Sequence, residues 1–247
     1  MDADVIVVGA GISGALVAEK LASTGAKVLI LEAGPRVDRA AAITRFYDAL
    51  VKVPECAYPN AGYAPHPRSD NVDFYYVQTG PDKFRSTYLR QVGGTTWHWL
   101  GTCLRLVPDD FRLATRFGRG VDWPIDYASL EPWYGMAERE IGVAGDSAQD
   151  LGSPRSSPYP MPEIPPTFLD RTIAQGFEGT PYEVRSTPQG RNSVVRDDRP
   201  PCCGNNSCIP ICPIQAKYDA TVHVARAEKA GAKLIAQAGR SSHRGRS

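Results

Sequence analysis

The pattern of apolar and polar positions is clearest in the first part of the chain, residues 4–34, where two apolar runs flank a segment of small and apolar residues. The β-branched run from Val5 to Val8 predicts one buried parallel strand, and a second apolar run from Val28 to Leu31 predicts its neighbour. Between them, small and apolar positions predict a helix from about Ile12 to Thr24 that ends at Gly25. A strand, a helix and a second strand in this order are typical of an α/β fold.

Three glycines follow the first strand in the spacing G-x-G-x-x-G, at Gly9, Gly11 and Gly14. The first permits a tight turn, the second lets the backbone touch a pyrophosphate, and the third lets the helix pack close to the sheet. The N-terminal N–H groups of the helix would face that pyrophosphate. Glu32 closes the second strand, where a carboxylate can accept both hydroxyls of an adenosine ribose. The stretch therefore predicts a dinucleotide site.

The candidate cofactor-binding residues of this stretch are Gly9, Ala10, Gly11, Ile12, Ser13, Gly14, Glu32 and Ala33. The continuation Glu32-Ala33-Gly34 so near the N-terminus resembles FAD enzymes more than NAD dehydrogenases. FAD is therefore the expected dinucleotide and NAD the alternative. A glycine-rich turn that binds no ligand is the structural alternative to both.

Later periodicity is more broken, because many of the 21 prolines lie in the middle of the chain. We predict strands at 88–92, 182–187 and 232–236 and helices at 43–52, 126–140, 168–175 and 220–230. In the helix at 126–140 the predicted core-facing residues are Leu130, Trp133, Tyr134 and Ala137. Residues 58–78 are expected to form a surface excursion or a lid, and 144–166 a long connection.

Composition excludes several classes of protein. The chain of 247 residues is 42% hydrophobic and 22% charged with a net charge of +1, an ordinary globular mix that does not suggest nucleic-acid binding. No apolar run approaches the length of a membrane span, and the N-terminus has no signal-peptide pattern.

A second informative stretch, residues 85–105, contains Gly93-Gly94-Thr95-Thr96 and then Trp97-His98-Trp99. The glycines would let backbone lie against a flat or charged group, and the threonines offer hydroxyls and N–H groups to phosphate oxygens. The alternative is a packed turn with aromatic core residues, in which His98 is a buried structural histidine.

Together with the N-terminal turn, the run R-Q-V-G-G-T-T-W-H-W resembles the glucose–methanol–choline oxidoreductase family, and its bacterial membrane-complex dehydrogenases in particular. Residues 121–125 and 127–142 resemble the same branch. The resemblance implies that Gly93, Gly94, Thr95 and Thr96 lie along the FAD, with His98 and Trp99 near the flavin. It also implies an α/β fold: a Rossmann-like FAD-binding domain with long irregular insertions and an incomplete substrate domain.

Four of the six cysteines fall within eleven residues, at Cys202, Cys203, Cys208 and Cys212, in the pattern C-C-x4-C-x3-C-P. Iron–sulfur loops gather thiolates in this way and often end in Cys-Pro. Zinc prefers separated pairs, and adjacent cysteines pair with each other only under strain, so zinc and disulfides are the alternatives. The resemblance implies a 3Fe–4S cluster held by Cys202, Cys203 and Cys208, with Cys212 as an unmatched fourth candidate. Cys56 and Cys103 are expected to be buried thiols.

The predicted organisation is a FAD-binding domain at 1–143, a linker with the first elements of a substrate domain at 144–199, and a cysteine loop at 200–219. Residues 220–237 would return to the FAD domain, and 238–247 would form a disordered tail. The resemblance places the catalytic His pair beyond residue 247, so we assign no catalytic residue and expect a truncated, inactive chain.

The resemblance implies oxidation of CH–OH groups of sugars or polyols, with electrons leaving through the cluster to a cytochrome c subunit. It further implies a small signal-bearing subunit, a location at the periplasmic face of the inner membrane, and a cytoplasmic location if the chain is expressed alone. The alternatives are an NAD-linked or other flavin reductase, and a non-catalytic metal-binding fragment.

Overall fold

The computed structural model describes residues 2–52, 79–81, 88–204 and 206–239. The predicted excursion at 58–78, the thiol of Cys56 and most of the predicted tail lie outside the described residues. Contacts divide the chain into two compact units, which we call the first unit (Met1–Leu100, Asn206–Pro213 and Asp219–Ser247) and the second unit (Gly101–Asn205 and Ile214–Tyr218). The domain limits predicted from the sequence stay predictions.

The first unit contains a three-stranded parallel sheet in the order β1 (Val5–Val8), β2 (Val28–Leu31) and β3 (Lys233–Ile235). Val5 pairs with Val28, and Leu29 pairs with Lys233. Helix α1 (Ile12–Ser23) connects the first two strands, while α2 (Arg39–Asp48) follows β2 and α6 (Thr221–Lys229) precedes β3. The predicted strand–helix–strand unit and the α/β class are confirmed.

The core of the first unit is built from small residues, because helices α1 and α6 pack closely on each other and on the sheet. Its fully buried members include Ala15, Ala18, Ala22, Val28, Ile30, Val224 and Ala227. The prediction of a buried β1 was wrong for one of its faces: Ile6 is 58% exposed and Val8 83% exposed. Side chains alternate along a strand, and within the described residues α1 and α6 cover the face that Val7 shares.

The second unit contains α3 (Leu113–Phe117), α4 (Tyr127–Ile141) and α5 (Phe168–Gly176), joined by long irregular segments. A 3₁₀ turn at Pro108–Arg112 precedes α3 and buries Phe111 against Trp123 and Tyr127. The predicted helices at 126–140, 168–175 and 220–230 are present as α4, α5 and α6. None of the helices in the described ranges is long and apolar enough to cross a membrane.

Several predicted elements differ in the structure. Residues 182–187 form no strand, and neither do residues 88–92, where the Val92 N–H donates to Pro35 O. Helix α2 begins at Arg39, four residues before the predicted start, because the Asp38 side chain caps it by accepting from the Ala41 N–H.

Candidate functional site

The three glycines in the turn after β1 stand in three different structural surroundings. Gly9 has φ +96°, a backbone conformation that favours glycine. A Cβ at Gly14 would lie 2.0 Å from Gly9 O, so only glycine lets the helix pack there. Gly11, in contrast, has φ −76°, and a Cβ built on it would meet nothing within 4 Å. The fold itself therefore does not require glycine at position 11, but a ligand lying on the backbone would.

Helix α1 begins at this turn without a side-chain cap, since its N-cap residue is Gly11. The first N–H groups of a helix have no intrahelical partners, and the dipole adds partial positive charge there. An uncapped N-terminus beside open space at Gly11 suits a pyrophosphate, and Ala10, Ile12 and Ser13 lie in the same turn. These residues fit the phosphate half of a dinucleotide.

Glu32 is buried, and its carboxylate holds the turn together. One of its oxygens accepts from the Ala10 N–H at 2.8 Å and the other from the Gly34 N–H at 2.8 Å. A carboxylate oxygen has further lone pairs, so ribose hydroxyls remain acceptable partners. The structure thus adds an internal role to the predicted ribose contact, which stays a prediction, as does the role of Ala33.

The Gly93–Gly94 segment lies directly against the N-terminal turn. The Gly93 N–H donates to Ala10 O at 3.0 Å, and a Cβ on Gly94 would be 3.6 Å from the Cα of Gly11. Gly93 and Gly94 both have positive φ, and the chain continues as a 3₁₀ turn, Gly94–Trp97, rather than as a strand. The structure therefore brings the two glycine stretches singled out in the sequence to one place in the first unit.

The residues after these glycines are held inside the first unit. The Thr96 hydroxyl donates to Gly93 O and accepts from the Ala220 N–H at 2.9 Å, so its single proton is used within the protein. This differs from the predicted donation to phosphate, although Thr95 and Thr96 keep their places beside the turn. His98 is buried and Trp99 is half-buried, and their predicted position near a flavin stays a prediction.

Three residues of this site were missed by the sequence analysis: Gly34, Arg39 and Asp219. A Cβ on Gly34 would lie 1.8 Å from Arg90 O, so glycine is needed where the segment before Gly93 crosses the end of β2. Arg39 pairs with the buried Asp219 at 2.7 Å and lies 4.1 Å over the ring of Trp97. Nothing in the local sequence pattern joins residues 39, 97 and 219, which are far apart along the chain.

The four clustered cysteines are divided between the two units. Cys202 and Cys203 belong to the second unit, where the Cys202 N–H donates to Asn192 O at 2.8 Å and Arg191 Nη1 lies 4.0 Å from Cys202 Sγ. Cys208 and Cys212 belong to the first unit, and Cys212 is buried there. None of the described cysteines forms a disulfide.

Two observations test whether this segment suits an iron–sulfur cluster. Cys202, Cys203, Cys208 and Cys212 form no disulfide, and their sulfur atoms are the soft donors that iron–sulfur clusters use. The hydroxyl of Ser207, one residue before Cys208, is buried and has no hydrogen-bond partner among the described residues. Buried donors normally find a partner, and a cluster sulfur would provide one. The chemistry of this donor set therefore suits an iron–sulfur cluster, and the cluster itself stays a prediction.

Cys103 behaves differently from the clustered cysteines. Burial raises the pKa of its thiol to about 11, and its Sγ donates to Gly101 O at 3.3 Å. At neutral pH it is protonated, and since the thiolate is the metal ligand, Cys103 is an inert thiol.

Comparisons with known proteins match the part of the chain that carries the glycine turn, and then most of the chain. Residues 7–52 match the family profile described as an NAD(P)-binding Rossmann-like domain. The chain is 40% identical over 257 aligned positions to the fructose dehydrogenase large subunit of Gluconobacter japonicus, covering 96% of this chain and 45% of that protein. The chain thus spans less than half the length of this relative.

Two further relatives are more distant. The chain is 33% identical over 177 positions to 2-methyl-1,2-propanediol dehydrogenase of Mycolicibacterium austroafricanum, covering 70% of this chain and 30% of that enzyme. It is 25% identical over 238 positions to the gluconate 2-dehydrogenase flavoprotein of Pantoea cypripedii, covering 77% of this chain and 35% of that protein. All three of these relatives are named as dehydrogenases, and one of them is named a flavoprotein.

Proposed function

The chain belongs to the glucose–methanol–choline oxidoreductase family, and on that premise we propose that it is the FAD-binding part of a dehydrogenase that oxidises CH–OH groups of sugars or polyols. One observation carries the proposal. The fold does not require glycine at position 11, yet Gly11 stands at the open, uncapped N-terminus of α1, with Gly94 packed beside it. A flat, doubly charged ligand is what such a backbone surface accommodates.

In this proposal the turn residues Gly9–Gly14 hold the pyrophosphate through backbone N–H groups, and Glu32 accepts the ribose hydroxyls. Gly93, Gly94 and Thr95 present backbone to the flavin half, and Arg39 with Asp219 keeps Trp97 and that segment in place. The bound flavin supplies a hydride acceptor for the alcohol carbon. His98 and Trp99 complete the surroundings of the ring.

The test of FAD binding is a titration of the purified chain, followed by quenching of flavin fluorescence. Gly11→Val should lower the affinity at least tenfold, because a branched side chain would occupy the pyrophosphate position. Gly176→Val is the matched control, since a Cβ there also meets nothing within 4 Å and Gly176 lies at the end of α5 in the second unit. Equal affinity in wild type and Gly11→Val would show that the ligand does not lie on this turn.

NAD(P) is the second candidate ligand, because the matching domain profile carries that description. The same titration separates the two candidates. Under our proposal NAD⁺ fails to displace FAD at comparable concentration, whereas displacement by NAD⁺ or NADP⁺ would favour the alternative.

We also propose that Cys202, Cys203 and Cys208 hold a 3Fe–4S cluster, with Cys212 as an additional candidate, and that electrons leave through it. The support is the soft-donor chemistry of these cysteines, which form no disulfide, and the buried hydroxyl of Ser207, which has no partner among the described residues. Iron and acid-labile sulfide, measured after anaerobic reconstitution, should be lost in Cys208→Ala and retained in Cys103→Ala. Zinc without sulfide in the wild-type chain would contradict the cluster.

The partners proposed for the whole enzyme are a small signal-bearing subunit and a cytochrome c subunit at the periplasmic face of the inner membrane. The support is the likeness to a protein named as a large subunit, the fructose dehydrogenase of Gluconobacter japonicus. The full-length enzyme, co-expressed with its neighbouring genes, should appear in the periplasmic membrane fraction. Recovery in the cytosol alone would argue against this location.

We place the acid–base residues of the reaction in the part of the relatives that this chain does not cover. General acid–base groups contribute about 10²–10⁴-fold to catalysis, so the chain reconstituted with FAD should show near-background turnover. Dye reduction with glucose, gluconate, fructose and sorbitol measures this. Ordinary turnover with any of them would place catalytic residues on the chain itself.

A further inference from the structure

Arg191 is held in a fixed position beside Cys202 within the second unit. Its backbone forms an antiparallel bridge with Lys217, flanked by hydrogen bonds from the Asn192 N–H to Ala216 O and from the Tyr218 N–H to Gly190 O. These contacts set the position of Arg191 more tightly than a loop residue would normally be held.

The side chain of Arg191 is also supported on one side. A Cβ on Gly101 would lie 3.4 Å from Arg191 Cγ, so the aliphatic stem packs over a glycine with φ +89°. The guanidinium then reaches Cys202, with Nη1 4.0 Å from Sγ. On the other side, the Cys202 N–H donates to Asn192 O, which joins the cysteine to the residue following Arg191.

The residue that pairs with Arg191 in this bridge is a buried lysine. Lys217, the bridge partner of Arg191, is only 1% exposed. Residues directly opposite each other in an antiparallel pair place their Cβ atoms about 4.5–5.5 Å apart on one face. The strand pairing with the buried Lys217 thus fixes the backbone of Arg191, whose guanidinium lies beside Cys202.

From this arrangement we infer that Arg191 is a positioning and tuning residue that donates to the Cys202 thiolate and raises the reduction potential of the cluster bound there. The inference rests on the cluster of the proposed function. Hydrogen bonds to the sulfur ligands and nearby positive charge both stabilise the reduced, more negative state of an iron–sulfur centre. Arg191 touches no reacting atom and is not a catalytic residue.

The test is an EPR-monitored redox titration of the reconstituted full chain, with dithionite as one-electron reductant and ferricyanide as oxidant. Arg191→Gln removes the charge and should lower the equilibrium constant for one-electron reduction about tenfold, which is about 59 mV. Arg191→Lys keeps the charge and should shift the potential less. Arg185→Gln is the matched control, because it removes an exposed arginine that pairs with Glu183 elsewhere in the second unit; its potential should equal that of wild type.

The outcomes are distinguishable. An unchanged potential in Arg191→Gln overturns the inference and leaves the cluster standing, whereas absence of iron and sulfide from wild type removes the proposed cluster itself. If Arg191→Gln fails to load iron, the Arg191→Lys variant shows whether loading depends on the positive charge at this position. Loading by the lysine variant supports a requirement for positive charge at this position, and failure of both variants shows a purely structural role and contradicts the inference.

Discussion

The two units of this chain bury different kinds of side chain. The first unit packs α1 against α6 and the sheet through alanines and glycines, so that backbone comes close to backbone. The second unit buries a cluster of charged and polar residues, which we call the ionic cluster: Arg105, Tyr127, Glu131, Glu138 and Arg155. The first kind of core lets backbone segments approach each other closely, whereas the second fixes long irregular segments to one helix.

The ionic cluster shows how charges can replace apolar contacts in such a unit. The Arg105 guanidinium donates to both oxygens of Glu138 at 2.7 and 2.9 Å and to Glu131 at 3.1 Å, while Arg155 donates to Glu138 at 2.7 Å. Burial acts to lower the pKa of Arg105, but its hydrogen bonds to Glu138, Tyr127 and Glu131 outweigh that effect and raise it. Arg105 therefore stays charged, and residues 105, 127–138 and 155 are held together.

The largest predicted effect comes from breaking this cluster. Arg105→Leu leaves the buried carboxylate of Glu138 with one cation fewer, and loss of one partner from a buried pair typically costs about 3–5 kcal/mol. Arg116→Leu is the control, because Arg116 and Asp109 form an exposed pair, for which about 0–1 kcal/mol is usual. Urea unfolding, with hydrogen exchange of peptides from α4, measures both. Equal losses in the two variants would mean that burial of the cluster adds nothing.

The first unit should be destabilised by a steric clash instead. Gly14→Ala places a Cβ 2.0 Å from Gly9 O, a clash with backbone that no side-chain rotation relieves, and such overpacking costs about 1–3 kcal/mol or more. Gly176→Ala, at the end of α5, adds the same methyl group where nothing lies within 4 Å. Hydrogen exchange should accelerate in α1 for the first variant only. A well-tolerated Gly14→Ala would refute the close packing.

Lowering the pH should destabilise the second unit through protonation of Glu131. The N–H and hydroxyl of Ser156, and then Arg105, hold the pKa of this carboxyl at about 2, below its ordinary value of 4.5. A lowered folded-state pKa gives stability that is present above about pH 4.5 and is lost as pH falls towards 2. Residues 127–141 should therefore lose exchange protection between these pH values.

Glu131→Gln is the variant that checks this assignment. It should be less stable at neutral pH, because an amide cannot accept all the donors that face Glu131, and it should lose less protection than wild type between pH 4.5 and 2. An undiminished acid response in this variant would assign the effect to other carboxyl groups of the second unit, such as Asp122 or Asp170, whose pKa values are also lowered by neighbouring hydrogen bonds.

The same contrast explains what the sequence could predict. The strand–turn–helix at residues 5–31 follows from local periodicity and glycine spacing, and the structure reproduces it closely. The core-facing side of α4 was predicted only in part: Leu130 and Tyr134 are half-buried, but Trp133 is 62% exposed, and Glu138 is buried. An apolar pattern ranks a tryptophan above a glutamate as a core residue, but the glutamate meets Arg105, 33 positions away, and its burial is decided by that partner.

The segment before Gly93 was mispredicted for a related reason. Its β-branched and aromatic residues favour a strand. In the structure, however, the Val92 N–H donates to Pro35 O, after β2, and the Gly93 N–H donates to Ala10 O, in the glycine turn. Gly34 permits that crossing because it has no Cβ. Contacts between distant segments of this kind leave no local periodicity that would identify them in advance.

The smallest predicted effect on stability comes from Gly11→Ser. This variant tests why helix α1 of the first unit begins without a side-chain cap. In the second unit α5 begins with a capping box, in which Thr167 accepts from the Asp170 N–H, whereas α1 begins at Gly11 with no side-chain cap. A serine N-cap should stabilise the ligand-free chain by a few tenths of a kcal/mol over glycine, because the site is open and φ is −76°. Gly11→Ala, which has no hydroxyl, should show no such gain.

The same serine hydroxyl would occupy the N–H groups on which the pyrophosphate is proposed to lie, so FAD affinity should fall while stability rises. Thermal unfolding without ligand and a flavin titration of the same variant measure the two effects side by side. A serine variant that gains stability and keeps full affinity would show that the uncapped start of α1 has no part in binding. Opposite changes would show that the sequence keeps glycine at position 11 for the ligand, at the expense of the helix.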